Sequence, residues 1–195
     1  MTDHLPSRSG EGRRCLYIPG RNAANVATTG ALLRDMGWDV RGPDVTAPFV
    51  ALPFAAQLEV VAGHCAALGP GAPVVAKSYG AYVLLHVLLA HGGPDPIANP
   101  VLLFCPVMGA GIARVGRGMV GSLPPRARVL LQAARAGRYP CFARLEIHIG
   151  DQDVCAEQAR TFAAHVAGAA RHLAPGVAHG LGAAYEREAL RRFLP

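Results

Sequence analysis

Three unbroken apolar runs constrain this chain more than any other feature: Cys15-Leu16-Tyr17-Ile18, Val74-Val75-Ala76 and Val101-Leu102-Leu103-Phe104-Cys105. Runs of this kind belong to strands buried on both faces, the condition met in parallel sheets sandwiched between helices. The segments between them carry helical spacing instead. Within 54–68, for example, Leu58, Val61, Ala62 and Cys65 recur on one face before Gly69-Pro70-Gly71 stops the helix. The same reading gives strands over 14–18, 38–45, 73–77, 100–105, 144–149 and 170–174. Helices fall after the loop 21–25 up to Met36, over 54–68, after Ser78 up to Gly92, and over 124–136, 155–167 and 183–193, with Ser122 placed to cap the fourth. Strand and helix alternate throughout, which predicts a single-domain α/β fold with a mostly parallel sheet of about six strands covered on both faces. Residues 1–13 are polar and are expected to form a disordered tail ahead of a domain over 14–195.

Composition narrows the function classes. With 195 residues and 51% hydrophobic content the chain can build one full core, and no apolar run approaches the roughly 18 residues of a membrane span. The N-terminal stretch lacks the apolar core of an export signal, so the expectation is a soluble, cytoplasmic protein without a membrane partner. The five cysteines are scattered without CxxC spacing and the eight histidines lack ligand spacing, so neither a disulfide framework nor a metal site is expected. A net charge of +6 raises nucleic acid as a partner, but Lys77 is the only lysine and no aromatic interleaving or nucleic-acid motif accompanies the arginines. No nucleic-acid partner is expected.

The chemistry is concentrated where parallel strands end, because loops at the carboxyl edge of such a sheet converge in space. After 73–77 the chain reads Ala76-Lys77-Ser78-Tyr79-Gly80, small residues around a serine at a tight strand-to-helix turn. Small neighbours let strand and helix approach while the serine is held in a strained backbone conformation. After 144–149 comes Gly150-Asp151-Gln152-Asp153, and after 170–174 comes Val177-Ala178-His179-Gly180. The order serine, acid, histidine supplies a nucleophile, a carboxylate to orient the base, and a base to move the proton. Ser78 also reads as a plain helix cap, His179 as a plain loop residue, and either Asp151 or Asp153 as the acid.

With these motifs the chain resembles the α/β-hydrolase superfamily, in particular its small members without a cap domain, over nearly all of 14–193. The resemblance implies Ser78 as nucleophile, His179 as base and Asp153, last in the Gly-x-x-Asp turn, as acid. It implies an oxyanion site from the backbone amides of Tyr79 and Arg21, with Asn22 close behind, although the His-Gly common in that loop is Pro19-Gly20 here. The activity it implies is hydrolysis of a carboxylic ester or thioester, as in esterases, thioesterases or dienelactone-hydrolase-like enzymes, with no cofactor. Acyl transfer, cyclisation, carbon–carbon cleavage or ligand binding without catalysis are the alternatives that the same fold admits.

Substrate choice is expected to reside in 106–142, the longest departure from regular alternation. It holds Arg114, Arg117, Arg126, Arg128, Arg135 and Arg138 and no acidic residue. A lid-like segment of this charge suits an anionic or carrier-protein-bound substrate, while a solvated helix face explains the arginines equally well. Asn22, Met108, Ile112 and Arg114 are the candidate substrate-binding side chains. Lys77 beside the serine is either a positive charge for the substrate or half of a salt bridge.

Overall fold

In the computed structural model, which describes residues 13–93, 95–109 and 125–195, six parallel strands hydrogen-bond in the order β2-β1-β3-β4-β5-β6. They are β1 Arg14–Ile18, β2 Asp39–Arg41, β3 Val74–Lys77, β4 Val101–Phe104, β5 Leu145–Gly150 and β6 Ala169–Ala174. The helices are α1 Thr29–Asp35, α2 Ala47–Ala51, α3 Phe54–Ala66, α4 Ser78–His91, α5 Val129–Arg135, α6 Ala156–His165 and α7 Ala183–Phe193. The sheet runs from β1 outward to β2 and then reverses through β3. The crevice beyond the strand ends at that reversal is where open α/β sheets bind ligands.

Although the central strands are apolar throughout, alternate residues still face opposite ways. Leu16, Ile18, Val74, Ala76, Leu103 and Ile147 pack against α2 to α6 in the larger core. Cys15, Tyr17, Val75, Leu102 and Phe104 pack against α1 and α7 in the smaller one. This two-sided burial is the physical origin of the unbroken runs.

Two expectations are corrected. The second strand is only Asp39–Arg41 rather than 38–45, because Gly42 turns at φ +136° and Pro43 follows it. The helix expected over 124–136 starts at Val129, since Arg126 has φ +61°, which helical backbone excludes. Ser122 and Pro124, placed at its start, lie outside the described residues. The short α2, with a proline in its first turn, carries too few residues to show a period. Among the described residues no helix is long and apolar enough to cross a membrane.

Candidate active site

The turn between β3 and α4 is tight enough to force a side-chain-bearing residue into a rare conformation. Ser78 has φ +49°, in the left-handed region that costs a residue with a Cβ of order 1–3 kcal/mol. The packing that imposes this is visible two residues on, at Gly80. A Cβ there would lie 2.2 Å from the Pro19 carbonyl oxygen and 2.6 Å from that of Ile18, so α4 can cross the end of β1 only with glycine at this position. The loop after β1 passes beside the serine: a Cβ at Gly20 would stand 3.3 Å from Ser78 Cβ. Ser78 is the first helical residue of α4, behind an extended Lys77, and no side chain caps the helix. Its hydroxyl is directed elsewhere.

Ser78 Oγ is 2.9 Å from His179 Nε2, and His179 Nδ1 is 2.8 Å from Asp153 Oδ2. The three side chains come from the ends of β3, β6 and β5 and form one hydrogen-bonded chain. Asp153 has a fully buried side chain, while the His179 side chain is 36% exposed at the mouth. The second carboxylate oxygen of Asp153 accepts the Cys155 amide at 2.8 Å, so the same aspartate starts the turn into α6 and holds the imidazole. Asp151 is exposed and has no such contact among the described residues. Its amide donates to Ala174, and the Gln152 amide to Val177, both at 3.0 Å, which docks the aspartate turn on the histidine loop. Gly150 permits that docking, since a Cβ would sit 2.0 Å from the Val177 carbonyl oxygen.

The backbone amides of Tyr79 and Arg21, which flank Ser78 and Gly20 in sequence, donate no loop or side-chain hydrogen bond among the described residues. The amide of Asn22 is already engaged, donating to Val45 at 2.8 Å from a residue at φ +62°. The loop that carries them is fixed from below by Asn25. Its side-chain amide donates to the Tyr17 carbonyl at 2.7 Å, and its carbonyl oxygen accepts Arg34 at 2.6 Å. Tyr79 donates its hydroxyl to Gln57 at 2.8 Å. Burial raises its phenol above the ordinary range, so it remains a neutral donor.

Not every expected residue reaches the site. Met108 is fully buried in the larger core, so it presents no surface to a ligand. Ile112 and Arg114 lie outside the described residues, as does the rest of 110–124, Arg117 included. Arg126, Arg128, Arg135 and Arg138 are exposed, and Arg126 lies 6.0 Å over the Phe54 ring. Lys77 is tied inward: its ammonium pairs with Glu186 of α7, whose other oxygen accepts the Thr29 hydroxyl at 2.5 Å.

Cys105 was not foreseen. It follows β4 at φ +43° and is buried, with its sulfur within 4.8 Å of ligand atoms of both Asp153 and His179. Burial pushes its thiol above the usual range, which disfavours the thiolate needed for a nucleophile or a metal ligand. Its position at a strand end on the same sheet edge was the available signal.

No protein-family model matches the sequence, and no curated protein matches it. Solved structures do. Est1E from Butyrivibrio proteoclasticus superposes with a TM-score of 0.69 at 16% identity, over 97% of this chain and 90% of that one. A monoacylglycerol lipase from Paleococcus ferrophilus superposes with a TM-score of 0.63 at 11% identity, over 92% and 93% of the two chains. An uncharacterized protein from Bacillus cereus aligns with 100% of this chain at a TM-score of 0.64 and 13% identity, but this chain spans only 63% of its length. The chain has the α/β-hydrolase fold.

Proposed function

We propose that the protein is a serine hydrolase that cleaves a carboxylic ester or thioester through an acyl-enzyme on Ser78. The observation that carries this reading is the chain from Ser78 through His179 to the buried Asp153, at 2.9 and 2.8 Å. His179 Nε2 takes the Ser78 proton as Oγ attacks the carbonyl carbon, then returns it to the departing alkoxide or thiolate. Asp153 holds the imidazole by its Nδ1–H and stabilises the imidazolium. The amides of Tyr79 and Arg21 receive the oxyanion of the tetrahedral intermediate. Water activated by His179 then releases the acid. Exposed Arg21, on the loop that passes beside Ser78, supports a substrate with an anionic group, free or carried on a protein.

Fluorophosphonate labelling tests the nucleophile. Labelling of the wild type that disappears in Ser78→Ala is expected, together with loss of ester turnover on the order of a million-fold. An unlabelled wild type overturns the proposal. Comparison of short and long acyl esters with acyl thioesters then ranks the substrates. A preference unchanged by charge reversal at Arg21, Arg114, Arg117 and Arg128 removes the anionic assignment.

A further inference from the structure

Among the described residues the proposed reaction leaves one cluster of metal-ligand side chains unused, on the face of the β5–β6 pair toward α7. Glu146 and His148 stand two residues apart on β5 and therefore share a face, the one toward α7, and the register sets His172 of β6 opposite His148. Glu146 Oε2 lies 3.2 Å from His148 Nε2 and 3.6 Å from His172 Nε2. One donor atom from each of the three falls within 4.8 Å of the others. Four-coordinate zinc holds nitrogen and oxygen donors at about 2.0–2.2 Å, which separates neighbouring donors of the tetrahedron by roughly 3.3 Å. Two sides of the triangle are close to that length.

We propose that Glu146, His148 and His172 bind a divalent transition-metal ion, with zinc the best match to two imidazoles and one carboxylate and water as the fourth ligand. The surroundings are arranged as outer ligands are. His148 Nδ1 is 3.0 Å from the Tyr185 hydroxyl, the kind of contact that orients a metal-bound imidazole. Arg144 takes the other oxygen of Glu146 through two nitrogens at 3.0 and 2.7 Å, leaving Oε2 to the histidines. The two imidazoles are stacked, with centroids 4.4 Å apart and planes 16° from parallel, so their lone pairs run side by side. Capture of the ion requires His172 to turn toward Glu146. Its side chain is 46% exposed on the edge strand, so that rotation disturbs no core packing. The Arg144 and Arg192 guanidiniums nearby oppose a dication and hold the affinity below that of a neutral shell. A bound ion would fasten β6, the strand that leads into the His179 loop, to β5, its only neighbour in the sheet among the described residues.

Calorimetric titration of the full chain with Zn2+, and visible absorption with Co2+, test the assignment. One equivalent bound, tetrahedral Co2+ bands and a higher Tm with zinc are expected for the wild type. His172→Ala and Glu146→Gln should each abolish the bands and weaken binding at least tenfold, and Tyr185→Phe should weaken it about tenfold. No binding by the wild type overturns the proposal. So does binding that survives His172→Ala but is lost in His179→Ala, which would move the ion to Cys105, Asp153 and His179. A wild type that binds no zinc can still be labelled at Ser78, so failure of this proposal and failure of the serine-hydrolase reading are distinguishable.

Discussion

On the face of the sheet covered by α2 to α6, strand side chains meet Val61, Leu84, Leu130 and Phe162 in a continuous apolar layer. The face covered by α1 and α7 is buried as well, but polar chains cross it: Thr29 to Glu186 to Lys77, and Tyr17 to Asn25 to Arg34. Both chains end at the loops that carry Ser78 and the Arg21 amide. The contrast separates two tasks. Area removed from water stabilises without direction, whereas a paired charge fixes one element relative to another and costs desolvation to do so.

The separation is broken first by truncation on the apolar face. Phe162 is fully buried and packs edge-on against Tyr139, with ring centroids 4.8 Å apart. Phe162→Ala should cost about 3–5 kcal/mol in urea unfolding, while turnover per folded molecule stays within about twofold. A large loss of kcat at temperatures where the variant is folded would mean that this face also positions the site.

A somewhat smaller effect is expected where the other face is cut. Glu186→Leu leaves Lys77 without its partner beside Ser78, at a cost of about 3 kcal/mol, because a largely buried charge then stands uncompensated. The double variant Lys77→Met with Glu186→Leu should recover most of that stability, as apolar replacements of buried pairs often do. Its kcat should remain low with KM little changed if the pair holds Ser78 in place. A fully active double variant would reduce the pair to a structural detail.

The same contrast governs what the sequence could reveal. Periodicity and unbroken apolar runs report burial, so six strands and the order of their loops were legible from residues such as Leu16, Val75 and Leu103. That Ser78, His179 and one of Asp151 or Asp153 would meet was legible because it follows from parallel topology, whereas the choice of Asp153 rests on its burial and its 2.8 Å contact with His179. Pairings across the smaller core were not legible in this way. Nothing local marks Glu186, 109 positions beyond Lys77, as its partner, and His172 reads as a surface residue until the register of β5 and β6 places it beside His148. Met108 illustrates the opposite error: an apolar residue after a strand suits a pocket wall and a core equally, and only packing separates them.

The smallest expected effect concerns the one imidazole embedded in the apolar face. His86 is buried against Tyr82 and Phe54, with centroids 4.6 and 5.2 Å away, and its Nε2 has no hydrogen-bond partner among the described residues. Burial, assisted by the nearby Arg126 charge, pushes its pKa down to about 4. An unfolded histidine titrates near 6.5, so below that pH the unfolded chain binds a proton that the folded chain refuses. The stabilisation is complete above pH 6.5 and is lost as the pH falls toward 4. Between pH 7 and pH 5 it should amount to about 2 kcal/mol. Urea midpoints at these two pH values measure it in the wild type and in His86→Leu, which removes the titrating group and keeps an apolar side chain. The variant should lose less stability by that amount, and Arg126→Gln should give an intermediate loss. Equal losses in wild type and His86→Leu would remove His86 as the source of the acid sensitivity and overturn the assignment.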